Sequence, residues 1–210
     1  MNTTSSLIIR LVALLWLLAC SPLLQAEDDA PVLMVYGDSL SAAYGMADEQ
    51  GWVQLLANKL AASGSDWQVV NGSVSGETST GGLARLPAML ESYEPDLVIL
   101  ELGGNDGLRG LPLDILRDNL LTMIREIRAS GARVILAGIQ IPPNYGPRYT
   151  VPFYQMYGEI AEQENLPLIP FLIDGIAQQA ELMQNDGIHP TAEAQSMIVD
   201  NVWPVLEPEL

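Results

Sequence analysis

The chain has 210 residues, 49% of them apolar, which is enough to bury one sizeable core and too many for wholesale disorder. Its 26 acidic residues against 9 basic ones leave a formal charge of −17, which repels nucleic acid, anionic membranes and, at long range, polyanionic substrates. The plainer effect of that charge is to keep an exported protein soluble.

The first segment reads as an address. Arg10 supplies a positive charge, and Leu11 to Cys20 is an apolar run of ten residues, against the roughly 20 that a membrane span needs. Leu24-Gln25-Ala26 and then Glu27-Asp28-Asp29 follow, the pattern of a secretory signal peptide cleaved after Ala26. Residues 1–26 are therefore expected to be removed, leaving 27–210 as the mature domain, periplasmic or secreted, without a transmembrane anchor. The alternative is a lipoprotein, because Leu17-Leu18-Ala19-Cys20 resembles a bacterial lipidation box in which Cys20 becomes the first residue. Cys20 is the only cysteine, so a chain cleaved after Ala26 has no thiol nucleophile, disulfide or cysteine metal site.

In the mature chain, Pro31 to Tyr36 is an apolar run ending at Gly37 and reads as a buried strand. Trp52 to Leu60 has helical spacing, Trp67 to Asn71 reads as a second strand, and Thr80 to Tyr93 as a second helix. Asp96 to Leu102 is the third strand and Asp114 to Ser130 a long amphipathic helix closed by Gly131. Arg133 to Ile139 is the fourth strand. A Pro- and Tyr-rich stretch follows and reads as a loop. Then come a helix over Gln155 to Gln163, a weak fifth strand over Leu166 to Pro170, and a last helix starting at Pro190. Alternating strands and helices, with near-continuous apolar strands, predict one three-layer α/β domain: a mostly parallel five-stranded sheet covered on both faces. Such folds place their sites beyond the carboxyl ends of the strands.

Those ends carry chemistry-bearing residues. Gly37-Asp38-Ser39-Leu40-Ser41 follows the first strand, Asn71 to Thr78 with Gly76 the second, and Gly103-Gly104-Asn105-Asp106 the third. Asp186-Gly187-Ile188-His189-Pro190 lies near the end. A serine hydrolase needs a hydroxyl, a base, a group that orients the base, and donors for the oxyanion. His189 is the only histidine, so an imidazole base can only be this residue. Asp186, three residues earlier across Gly187, can fold back onto one ring nitrogen and fix the tautomer. Taken alone, a single histidine is more often a surface or capping residue. No second histidine or cysteine is placed to share a metal with it, so no metal and no cofactor are expected.

These blocks together resemble the GDSL/SGNH hydrolase family: LMVYGDSLS over 33–41, Gly76, GGND over 103–106 and DGIH over 186–189. TSTGGLARLPAML and DGIHPTAEAQ resemble in particular its bacterial thioesterase I, lysophospholipase L1 and arylesterase subgroup. The resemblance implies Ser39 as nucleophile, His189 as base and Asp186 as its orienting acid. It also implies an oxyanion hole made of the Ser39 and Gly76 N–H groups and the Asn105 side chain, and a flavodoxin-like fold. Asp38 and Asp106 are read instead as loop-holding residues. There is no G-x-S-x-G elbow, which sets the chain apart from standard α/β-hydrolases.

Leu83, Leu108, Leu111, Pro112, Ile141, Pro142, Tyr145, Tyr149 and Phe153 lie beyond the strand ends and are candidates for an apolar acyl groove. Aryl and alkyl esters and lysophospholipids fit the acidic, exported chain better than acyl-CoA, although an acyl-enzyme serves thioesters equally well. A carbohydrate acetylesterase is the alternative. A non-catalytic binding protein is a third reading, which the intact serine and histidine oppose. A monomer acting on a small-molecule or lipid ester is expected.

Overall fold

The computed structural model describes residues 30–210; the expected signal peptide, its expected cleavage site and Cys20 lie outside the described residues. Strands β1 (Val32–Gly37), β2 (Gln68–Asn71), β3 (Leu97–Glu101), β4 (Arg133–Ala137) and β5 (Leu168–Ile169) form one sheet in the order β2-β1-β3-β4-β5. Every neighbouring pair is parallel. The helices are α1 (Trp52–Ala62), α2 (Ser79–Tyr93), α3 (Gly104–Leu108), α4 (Leu113–Ala129), α5 (Pro147–Glu164) and α6 (Gln195–Leu206).

The two-residue period of the strands sorts the core into two layers. Met34 and Tyr36 of β1, Val98 and Leu100 of β3, and Val134 and Leu136 of β4 face α2, α4 and α5. Leu33 and Val35, Leu97 and Ile99, and Ile135 and Ala137 face α1 and α6 on the other side. Both faces being dry explains why these strands read as unbroken apolar runs rather than alternating ones. The sheet order reverses between β1 and β3, so the crevice beyond their carboxyl ends is the switch point where ligands bind in open α/β sheets.

Three local expectations are corrected. The Pro- and Tyr-rich stretch is not a loop throughout: a 3-10 turn at Pro143–Tyr145 leads into α5, which begins at Pro147 rather than Gln155. Pro147 suits a first helical position, where its missing N–H has no partner to lose. Pro152 lies inside the same helix, and the apolar spacing of Phe153, Met156, Tyr157, Ile160 and Ala161 holds it on the core. The last helix starts later than expected: Pro190 pairs with Met183 in an isolated bridge, a 3-10 turn spans Ala192–Ala194, and α6 begins at Gln195. Between the third strand and the helix expected from Asp114, where no element was expected, the GGND block opens the one-turn helix α3.

Candidate active site

Ser39 sits on the turn that leaves β1. The Ser41 and Ala42 N–H groups both donate to the Asp38 carbonyl, at 3.2 and 3.0 Å, which curls the chain around the serine. Beneath the turn lies Glu101, the last residue of β3, paired in register with Gly37 and fully buried. A Cβ on Gly37 would collide with Glu101 Oε2, so glycine is what admits the carboxyl here. That oxygen accepts from the Ser41 hydroxyl at 2.7 Å and from the Asp38 N–H at 3.3 Å. Glu101 Oε1 is buried without a partner. Burial, reinforced by the nearby Asp38 charge, pushes the Glu101 carboxyl well above its ordinary range.

His189 reaches Ser39 from the other end of the chain. Its Nε2 lies 2.8 Å from Ser39 Oγ, and its Nδ1 lies 2.7 Å from Asp186 Oδ2. Asp186 Oδ1 accepts from the Ile188 and His189 N–H groups, at 2.9 and 3.0 Å, so the carboxylate is clamped before it meets the ring. Burial works to raise the Asp186 pKa, but the hydrogen bonds from His189 and Ile188 outweigh it and hold the carboxyl below the usual range. Gly187, with φ of 67°, makes the turn between acid and histidine that a side chain would strain. The loop is anchored by Gln184 N–H donating to the His189 carbonyl at 2.7 Å and Thr191 N–H donating to the Leu182 carbonyl at 2.7 Å.

Asn105 lies in α3, just past β3, and its Nδ2 donates to Asp38 Oδ2 at 3.2 Å. Asp38 Oδ1 accepts from the Leu40 N–H at 3.0 Å, so Asp38 holds the serine turn and the asparagine together. Burial raises the Asp38 pKa to about 6 against the opposing pull of the Leu40 N–H, the Asn105 amide and the His189 charge, while the Asp106 charge adds to the rise. Asp106 ties the same helix to the start of α2: its Oδ2 accepts the Ser79 N–H at 2.8 Å and its Oδ1 the Ser79 hydroxyl at 2.6 Å. Gly76 is exposed on the β2–α2 loop, with φ of 80°, and its carbonyl accepts from Arg109 Nη2 at 3.1 Å. Among the described residues, neither the Ser39 N–H nor the Gly76 N–H has a protein acceptor. Ser41 is committed to Glu101, and the Ser73 hydroxyl accepts the Gly37 N–H at 3.1 Å.

A cavity of about 670 Å³ opens at Ser39 and Asn105. Its size suits a small organic ligand. Of the expected groove residues, Leu108, Ile141 and Pro142 line it. The other six do not. Phe153 is fully buried in the core, and Leu83 and Tyr149 pack against that core. The Tyr149 hydroxyl donates to the Leu111 carbonyl and the Tyr145 hydroxyl to the Leu108 carbonyl, each at 2.8 Å, so both serve the loops. Leu111 and Pro112 lead into α4 away from the cavity. The reading missed Val151 and Tyr154 of α5, Phe171, Ile173 and Ile188, which do line it. Had the helix been started at Pro147, the helical period would have put Val151 and Tyr154 on one stripe and Phe153 on another. No lysine, arginine or glutamate lines the cavity, and Asp38 is its one charged-type side chain. Among the described residues no cluster of three histidine, cysteine or acidic side chains could hold a metal.

Residues 35–196 match the model of the GDSL-like Lipase/Acylhydrolase family. The chain is 53% identical over 188 residues to the esterase TesA of Pseudomonas aeruginosa, covering 90% of this chain and 94% of that one. It is 41% identical over 179 residues to thioesterase 1/protease 1/lysophospholipase L1 of Escherichia coli, covering 85% of each. Among solved structures, the psychrotrophic esterase EstA from Pseudoalteromonas sp., inhibited by monoethylphosphonate, superposes with a TM-score of 0.81 at 45% identity. That match covers 85% of this chain and 97% of EstA.

Proposed function

The chain belongs to the GDSL-like lipase/acylhydrolase family and hydrolyses esters, and from that premise we propose that it does so through an acyl-enzyme on Ser39. The observation that carries the reading is the continuous relay Ser39 Oγ–His189 Nε2, 2.8 Å, and His189 Nδ1–Asp186 Oδ2, 2.7 Å. Neutral His189 takes the Ser39 proton as Oγ bonds to the acyl carbonyl carbon, giving a tetrahedral oxyanion and an imidazolium. The imidazolium returns that proton to the departing alkoxide, and the carbon–oxygen bond to the alcohol breaks. Water then gives a proton to His189 and attacks the acyl-Ser39, and collapse of the second intermediate releases the acid and restores the serine. Asp186 stays ionised and offsets the positive charge on the ring.

The oxyanion is received by the Ser39 N–H, the Gly76 N–H and Asn105. Among the described residues the first two donors are uncommitted, and one N–H of the Asn105 amide is held on Asp38, with no acceptor there for the other. The acyl chain occupies the cavity, whose aliphatic and aromatic walls suit a hydrocarbon tail. The absence of any lysine or arginine from those walls, with the formal charge of −17, favours uncharged or zwitterionic esters over acyl-CoA. The walls also carry Gln140, Gln155 and Gln178, so acetylated carbohydrate is tested alongside. Among the described residues no helix is long and apolar enough to cross a membrane, and we place the mature enzyme, 27–210, in the periplasm or outside the cell. The relay is complete within one chain, in keeping with a monomer.

The test is a matrix of hydrolysis rates with purified 27–210: nitrophenyl esters from acetyl to dodecanoyl, a lysophosphatidylcholine, an acyl-CoA and acetyl-xylan. Rates that rise from acetyl into the medium-chain esters support the reading. A preference for acetyl-xylan over every nitrophenyl ester overturns it.

A further inference from the structure

We propose that Tyr44 is a positioning residue for the base, its ring holding the His189 imidazole against Asp186 and stabilising the imidazolium formed during acyl transfer. The inference rests on the Ser39–His189–Asp186 relay. Tyr44 lies in the loop after the serine turn, outside the family of hydrogen bonds that builds the relay, and its aromatic ring is 47% exposed. Here it stacks on His189, with ring centroids 4.3 Å apart and planes inclined by 34°. The imidazole is thus held at both nitrogens by Asp186 and Ser39 and covered on one face by Tyr44.

The contact is built rather than incidental. Ala43 adopts φ of 51°, a left-handed conformation that is unfavourable for a residue with a Cβ, and Gly45 follows with φ of 77°. The Ala43 side chain is buried, which holds the strained residue in place. The Tyr44 carbonyl accepts from Gln184 Nε2 at 2.8 Å, and the same amide donates to the Pro190 carbonyl at 3.0 Å. Gln184 therefore fastens the tyrosine loop to the residue that follows His189, while its own N–H holds the His189 carbonyl at 2.7 Å. A change in one loop is felt by the other.

The chemistry follows from the ring's quadrupole. A cation over an aromatic face is attracted to it, whereas a neutral imidazole gains less, so the contact strengthens as the ring takes the Ser39 proton. The ring also covers one face of the imidazole, whose side chain is 14% exposed. The hydroxyl of Tyr44 is not needed for either effect.

Tyr44→Ala and Tyr44→Phe separate these roles. Tyr44→Ala should lower kcat about two- to tenfold, the range a partly exposed cation–π contact supports, with KM nearly unchanged. Tyr44→Phe should restore kcat to within about twofold of the parent. His189 is the only histidine, so its imidazole protons can be assigned by NMR without ambiguity. They should shift in Tyr44→Ala as the ring current is lost, and hold in Tyr44→Phe. Melting curves check that both variants fold, and phosphonate labelling of Ser39 checks the relay itself. Normal labelling with an unchanged kcat in Tyr44→Ala overturns the proposal alone, as does a rise in KM in place of the fall in kcat. Equal losses in Ala and Phe also overturn it, because the hydroxyl would then be the active group. Labelling on another serine overturns the relay on which it rests.

Discussion

Ser39 Oγ and His189 Nε2 stand 2.8 Å apart although 150 positions separate them in the chain. The serine is held by a turn that its own hydroxyl does not support, because Asp38, Ser41 and Glu101 make the fixing bonds. Ser39→Ala should therefore fold and melt within about 0.5 kcal/mol of the parent while kcat falls by several orders of magnitude. Mass spectrometry after an organophosphonate should find the adduct on Ser39. An adduct on Ser41, Ser73 or Ser75 would displace the assignment.

The acid limb of kcat/KM should have a slope of one, because acyl transfer needs a single proton acceptor. Asp186 is excluded as its source: a carboxyl held below its ordinary range stays charged until the pH falls through that lowered value. Asp38, raised to about 6, titrates closer to the working range but contacts no proposed reacting atom. Asp38→Asn should accordingly leave the limb at a slope of one. A slope of two in the parent that drops to one in Asp38→Asn would give the buried aspartate a share. Asp186→Asn should lower kcat by less than His189→Ala does.

Asn105→Ala should reduce kcat by roughly 10²–10³ with a smaller change in KM, the pattern of a donor that acts on developing charge. Steady-state rates on one medium-chain ester suffice. Full kcat in the variant would leave Asn105 only its bond to Asp38.

Two neighbours on α5 should behave oppositely. Val151 lines the cavity and is half exposed, so Val151→Trp should lower kcat/KM for a decanoyl ester about tenfold relative to an acetyl ester. Phe153 is wholly in the core, so Phe153→Ala should cost about 3–5 kcal/mol of stability and leave the ratio of the two esters alone. A changed ratio in Phe153→Ala would return that residue to the acyl groove.

Glu101 should make stability depend on pH. A carboxyl raised well above its ordinary value keeps a proton in the fold that the unfolded chain releases, so stability falls as pH rises above about 4.5. Glu101→Gln cannot ionise. It should melt close to the parent at pH 5 and at least about 3 °C above it at pH 8. An equal difference at both pH values would mean that folding does not raise the Glu101 pKa.

The sequence made the sheet and the relay legible for different reasons. Leu97 to Glu101 and Arg133 to Ala137 are buried on both faces, and burial on both faces writes itself as unbroken apolar runs. Ser39, Asp186 and His189, which the structure brings into contact, stood out because the proposed roles demand particular residue types beside glycines, and the lone histidine left no rival. The cavity was read poorly because its walls need only be apolar, as the core must also be. Two prolines hid the first turns of α5, and with the helix phase lost, Phe153 and Val151 could not be told apart. Pro190 misled in the same way: a good first helical residue was used instead to bridge to Met183.

The long separation of the proposed nucleophile and base, 150 positions, also sets what a shortened chain could do. All five strands, which end at Ile169, precede the base, and the final helix docks onto the first one where Trp52 N–H donates to Gln195 Oε1 at 3.0 Å. On the proposed relay, a chain clipped before Asp186 keeps the five strands of the described sheet yet should hydrolyse nothing.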